Sequence, residues 1–415
     1  MQIPNHGWLG FFVPLNVRAL RIYWLGQACS LIGMWLQVTA MGILVYDLSH
    51  GSGTAVGFLA ALNAAPFLFG GMALGALGDR FDRRKLLMAV QLVQIAVAGI
   101  LWLLGWSGIL ELWHLYMAVF LLGVMQCVAF PSQQAFVGDL SPKGMLLKSV
   151  GMYSLVFNVC RSVGPPLGGY VIAGLGANYA FGLNALCCIP LVGCLAVLRG
   201  MYVPESVGMG RRVGENVRSG SGLLIVWRDG RLRMILISAL IQNLLGQSLY
   251  QIVPALTYGN PSATGALLGA VGAGAVSSIL FVMPFLRYSP RIGLNLSCGT
   301  LWMGAMFALA GIVPMLQVQT VCFFLAGVAT SALFVTTSST VQLLSPAGHR
   351  SRILGLFTIV TIGAQPLAAL WWGALLDHIG VPSLLVFVGI VEVVLSVGML
   401  LVPFWPRWKM EEPES

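Results

Sequence analysis

The chain has 415 residues, 58% hydrophobic and 8% charged, with a mean hydropathy of +0.88. No soluble globular domain has this composition, whereas repeated apolar runs of about twenty residues are what membrane-spanning helices need. The net charge of +9 comes from cations dispersed through loops; this argues against a nucleic-acid-binding face and for contact with anionic lipid.

Charges, Gly/Pro/Ser clusters and tryptophans bound twelve predicted helices. Arg18 and Arg21 stand at the start of the first, about 19–46, and no small-residue cleavage site follows a short apolar stretch, so the start does not read as a cleavable signal. The spans 55–78, 86–107, 113–136, 147–173 and 177–199 complete a first half, 1–199. A glycine-rich basic stretch, 200–233, reads as a flexible tether. Spans 234–257, 263–286, 292–315, 317–343, 353–376 and 381–404 form the second half, 234–415. The fold class is thus all-α integral membrane.

Of the 22 lysines and arginines, all but Arg161 lie in or beside alternate gaps. The intervening gaps hold Asp47, His50, Glu111, His114, Asp377 and His378 instead. The positive-inside rule then places both termini and the tether in the cytoplasm. The eight cysteines fall inside apolar runs and read as small packing residues, with no metal-ligand spacing and no cofactor motif.

The halves repeat. At an offset of 204 residues Leu140-Ser141-Pro142 meets Leu344-Ser345-Pro346, Arg83 meets Arg287, Gly169 meets Gly373, and Arg161 meets Gln365. Two like-oriented, pseudo-symmetric six-helix halves imply a substrate site near the membrane midplane and alternating access by rocking.

Polar residues within the spans are the candidates for that site. In the fifth span Ser154, Asn158, Arg161, Pro165 and Gly168 fall on one helical stripe. Arg161 either faces a cavity or sits in a packed interface, satisfied by carbonyls or Asn158; the cost of burying an unpaired guanidinium favours the cavity. Gln365 repeats its position in the eleventh span, where Thr358 and Thr361 lie nearby. Asn243, Gln247 and Gln251 recur every four residues in the seventh, and Gln37, Asn63 and Gln126 complete the candidate lining. Gly164, Pro165, Gly168 and Gly169 permit a bend, close helix packing, or both. Glu392, at the centre of the last span, is either a proton-coupling group or a neutral, hydrogen-bonded carboxyl.

The loop Gly75-Ala76-Leu77-Gly78-Asp79-Arg80-Phe81-Asp82-Arg83-Arg84-Lys85 pairs a carboxylate with guanidiniums that could latch a helix end. It resembles the signature loop of the major facilitator superfamily, with Asp82 where that family usually has glycine. The Asp-Arg-Phe-Asp-Arg-Arg form, with Tyr23 to Gly26 and Ser30 to Trp35, is similar to a bacterial exporter branch that includes enterobactin-type siderophore efflux proteins. Asn158 through Gly169 resembles the antiporter motif of the fifth helix, with Cys160 replacing its first glycine, and Pro131 through Asp139 resembles the segment ending the fourth. The resemblance implies a cytoplasmic charge latch of Asp79, Arg83 and Asp139, with Arg80 beside them. The arginine that the family carries in the fourth helix has no counterpart here, where Val119 stands.

The expected function is proton-coupled efflux of a small amphipathic or anionic molecule, siderophore-like or drug-like by resemblance, by a monomer in a bacterial inner membrane. Uptake and lysophospholipid flipping on the same fold are alternatives. A membrane-embedded enzyme is the remote one: the five histidines are scattered over termini and loops, and no catalytic motif is present.

Overall fold

The computed structural model describes residues 13–78, 81–142, 145–200, 221–283, 291–345, 353, 356–357, 359–403, 405–406 and 408. Its long helices are α1 Arg18–Leu48, α2 Gly53–Gly78, α3 Arg83–Trp106, α4 Leu112–Leu140, α5 Leu146–Leu175 and α6 Ala177–Val197. After a short helix, Ser221–Arg228, come α7 Gly230–Leu256, α8 Pro261–Val282, α9 Ile292–Ile312, α10 Leu316–Leu344, α11 Ala364–Ile379 and α12 Val381–Leu400. Among the described residues nine of these are long and apolar enough to cross a bilayer; α2, α5 and α11 fall outside that set.

Several helix starts are set by side chains that satisfy orphan backbone donors. The Asp82 carboxylate accepts from the Lys85 amide at 3.0 Å and caps α3, which gives a reason for an acid where the resembled loop has glycine. Asp229 caps α7 and Asn260 caps α8 in the same way. The tight link between α1 and α2 turns at His50 and Gly51, both with positive φ (56° and 88°); glycine suits the second position because it has no Cβ to clash there.

The chain divides into two compact units: residues 1–44 with 65–215, and 45–64 with 216–415. In the first, Leu20, Tyr23, Leu87, Phe136, Met152 and Leu195 belong to one buried cluster, with Tyr23 edge-on to Phe136 at 5.2 Å. Small residues bring α1 against α6: a Cβ on Gly26 would lie 2.9 Å from the Cys194 sulfur, and one on Gly33 2.7 Å from the Cys187 Cβ. That matches the small-residue packing of membrane helices.

In the second unit α9 packs on α12 and α8 on α10. Gly274 and Gly327 close the α8–α10 contact reciprocally; a Cβ on either would sit 2.1 or 2.3 Å from a carbonyl oxygen of the facing helix. Gly304 and Gly389 do the same between α9 and α12. Backbone cannot yield as a side-chain end can, so Gly389→Val is expected to destabilise this unit by about 1–3 kcal/mol through overpacking. Thermal unfolding of the purified protein checks this, and an unchanged midpoint would show that the contact is soft.

Candidate functional site

In the first unit Arg161 projects from the middle of α5, half-buried, with its guanidinium carbon 5.9 Å from the Trp35 ring centroid of α1. A guanidinium over an indole face is a cation–π arrangement, which partly compensates a cation away from bulk water. Gly164, one turn further along α5, makes the approach feasible: a Cβ there would meet the Trp35 Cβ at 2.4 Å. Gly168 packs more loosely against Leu36 and Thr39. The helix runs on through Pro165 and Pro166, with Gly164 and Gly168 both turned to α1. Asn158 turns back onto its own helix, donating to the Ser154 carbonyl at 2.8 Å.

The other candidates of this unit are placed differently. Gln37 is buried and accepts a hydrogen bond from Asn184 of α6, while its own amide reaches the Met41 sulfur at 3.7 Å. Gln126 donates to the Met34 sulfur at 3.2 Å. Neither is drawn to Arg161 by any of these bonds.

The second unit carries a chain of amides. Gln251 of α7 donates to Gln365 Oε1 at 3.1 Å, Gln365 of α11 donates to Asn243 Oδ1 at 2.6 Å, and Asn243 donates to the Ala239 carbonyl at 2.7 Å. All three donate in the same sense, so their dipoles reinforce one another. Asn243 lies within a π-helical segment, Gln242–Gln247, and such wide turns recur at functional sites. Trp372 of α11 locks that segment by donating to the Leu244 carbonyl at 2.7 Å. Gln247 takes no part in the amide chain, and Asn63 of α2 is exposed in this unit.

Of the latch residues, Arg83 and Asp139 form an ion pair at 2.6 Å, with Asp139 almost fully covered and Arg83 about one-third exposed. Arg84 is buried beside it and donates to the Leu195 carbonyl near the end of α6 at 2.9 Å, where a cation also suits the helix dipole. Asp79, Arg80 and Thr358 lie outside the described residues.

One polar cluster escaped sequence reading. Asp377, near the end of α11, accepts from the Gly53 amide at 2.6 Å, the Thr54 amide at 3.0 Å, the Thr54 hydroxyl at 2.6 Å and the Ser52 hydroxyl at 3.1 Å. Ser52 Oγ accepts from the amide of Ala55, in the first turn of α2, at 3.2 Å. Partial burial pushes the Asp377 carboxyl up, but the bonds from Thr54, Gly53 and Ser52 outweigh it and hold the group below the usual carboxylate range. The signal in the sequence was only an acid in an outer gap.

A family model described as transmembrane secretion effector matches residues 9–414, nearly the whole chain. The chain belongs to the major facilitator superfamily. Within it, the chain is 23% identical to the staphyloferrin A transporter of Staphylococcus aureus, over 92% of this chain and 95% of that one. It is 21% identical to macrolide efflux protein A of Streptococcus pyogenes, over 88% and 92%. A bacterial homologue of the human lysosomal transporter Spinster, solved inward-facing and unoccupied, superposes with a TM-score of 0.71 at 13% identity, covering 97% of this chain and all of that one. At that identity the likeness speaks for the fold alone.

The protein is therefore a multi-pass membrane transporter and not an enzyme. For a major facilitator transporter, the exporter resemblance of the loop at Asp82 to Lys85 and of the fifth helix is in keeping with these relatives.

Proposed function

We propose that this chain is a twelve-helix, proton-coupled exporter that carries a small amphipathic or anionic molecule out across a bacterial inner membrane. It works as a monomer, with two six-helix halves, 1–199 and 234–415, joined by a cytoplasmic tether, 200–233, and both termini inside. The observation that carries the reading is Arg161: a half-buried cation at the middle of a membrane helix, with its guanidinium over the Trp35 indole face, in a position suited to the acidic group of a substrate. The amide chain of Asn243, Gln365 and Gln251 offers neutral donors and acceptors suited to a polar or amphipathic solute. Relatives that bear the names of a siderophore transporter and of macrolide efflux support that substrate range. The Arg83–Asp139 pair acts as the cytoplasmic latch.

The test uses inverted inner-membrane vesicles from a strain expressing the chain, with staphyloferrin A and a macrolide as the two labelled probes. With the lumen acidified, an exporter accumulates at least one of them inside, and a protonophore abolishes the accumulation. Accumulation in right-side-out vesicles instead would establish uptake and overturn the direction; insensitivity to the protonophore would overturn the coupling.

A further inference from the structure

We propose that Glu392 is the binding site of the coupled proton, and that α7 reads its charge through the π-helical segment Gln242–Gln247. The inference rests on the exporter reading for its physiological role, but its physical content stands on the second unit alone.

Glu392 lies at the centre of α12 and is fully buried. Neither carboxyl oxygen has a hydrogen-bond partner among the described residues. Two glycines make its space. A Cβ on Gly246 of α7 would come within 2.9 Å of Glu392 Oε1, and one on Gly304 of α9 within 2.7 Å of the Glu392 Cβ. The carboxyl thus points into the junction of α7, α9 and α12 rather than toward lipid.

Nothing on those helices can neutralise a negative charge there. Along α12 Glu392 is the only ionisable residue, along α9 the only one is the Cys298 thiol, and α11, which also packs on α12, carries Asp377 and His378 only in its last turn. Arg291 precedes α9, and Arg231 and Arg233 lie in the first turn of α7, all far along the helix axis from Gly246. Tyr250, on α7, has its hydroxyl paired with Thr330 of α10 at 3.0 Å. An ionised carboxylate without counter-charge or donors is several kcal/mol too costly to persist in such a site. In this conformation Glu392 therefore carries a proton.

Losing that proton forces a rearrangement, and the nearest deformable element is the segment against which the carboxyl lies. Gly246 belongs to the π-helical turn, and three residues before it Asn243 bonds Gln365. A π turn can relax toward α geometry by shifting one residue of register, which rotates the side chains and redirects backbone amides. Proton release at Glu392 behind the helix would thereby break the amide chain in front of it, and binding at Asn243 and Gln365 would alter proton affinity in return. The reaction is simple ionisation: the O–H bond of the carboxylic acid breaks, the electron pair stays on oxygen, and the proton leaves to water in a conformation that admits it.

The test uses the full-length protein in liposomes without added substrate. Infrared difference spectra across a pH titration should show loss of a protonated-carboxyl band in the native chain. Hydrogen exchange of the peptide covering Gln242–Gln247 should rise over the same pH range by more than the intrinsic base-catalysed increase, that is, its protection factor should fall. In Glu392→Gln, which keeps shape and neutrality, the band should be absent and the protection factor of this peptide independent of pH, with the melting temperature retained. Glu392→Asp should keep both signals with a displaced midpoint. A band that survives in Glu392→Gln, or exchange that responds to pH equally in both proteins, would overturn the assignment. Failure of the exporter reading would look different: native vesicles without gradient-driven transport, alongside an intact titration.

Discussion

Arg161→Ala is expected to lower extrusion of a transported probe by ten- to a hundredfold while leaving the amount of protein in the membrane unchanged. A charge-assisted hydrogen bond to a substrate group in such surroundings is worth about 1.5–3 kcal/mol, which converts to that range. The unchanged abundance follows from the geometry. Arg161 is half-buried, with its guanidinium beside the Trp35 indole face. What anchors α5 to α1 is the notch at Gly164 that receives Trp35, and alanine at position 161 leaves it untouched. Arg161→Lys is the informative companion. Lysine keeps the charge but not the planar, stacking guanidinium, so intermediate transport would assign part of the effect to geometry. Full activity in Arg161→Ala would remove this residue from the substrate path. Loss of protein together with loss of activity would make it a packing residue.

The features legible in the sequence were those encoded by local composition. Apolar runs marked the helices, and the cation map singled out Arg161 because a charge inside a span stands out against any background. The Arg83–Asp139 pair was legible only by resemblance, since 56 residues separate the partners. Contacts at longer range were not encoded that way. The stripe of Asn243, Gln247 and Gln251 assumed a regular α-helix, but the π turn at Gln242–Gln247 changes the register within it. Asn243 and Gln251 consequently join Gln365 in the amide chain while Gln247 does not. No propensity announces such a turn, because it depends on packing against Trp372 and Glu392. Glu392 itself was legible as a buried acid, but the space its carboxyl occupies depends on two glycines, 146 and 88 residues away, that no pattern connects to it.

Asp377→Ala is expected to speed hydrogen exchange at the first turn of α2 by about five- to thirtyfold. The carboxylate holds the Gly53 and Thr54 amides and two hydroxyls at the positive end of a helix, where an anion is favoured twice over, by hydrogen bonds and by the dipole. Losing such a cap costs about 1–2 kcal/mol once solvent screening at this exposed position is counted, and 1.4 kcal/mol is tenfold. Asp377→Asn should do less, since asparagine is a good cap without the charge. The consequence for transport follows from what the cap joins. Residues 45–64 fall in the same compact unit as α11, and α2 meets α11 through backbone: a Cβ on Gly57 would lie 2.5 Å from the Ala369 carbonyl oxygen, and one on Gly53 2.8 Å from that of Gly373. In the proposed orientation this end of the helices lies outside, and in the proposed exporter cycle the contact parts whenever the outer side opens. Gly57→Leu, which forbids the close approach outright, should raise exchange in α2 and α11 together and stop transport in a protein that still folds. The carboxyl is held below the usual range by its four bonds, so the clasp is complete at neutral pH and loosens only as pH falls through that lowered value. Asp377 therefore stays ionised across the working range of a cell, and the proposed proton coupling needs another group. An exchange rate in α2 that rises on mild acidification, from pH 7 to about pH 6 where an ordinary carboxylate has yet to titrate, would contradict that division of labour between the two acids.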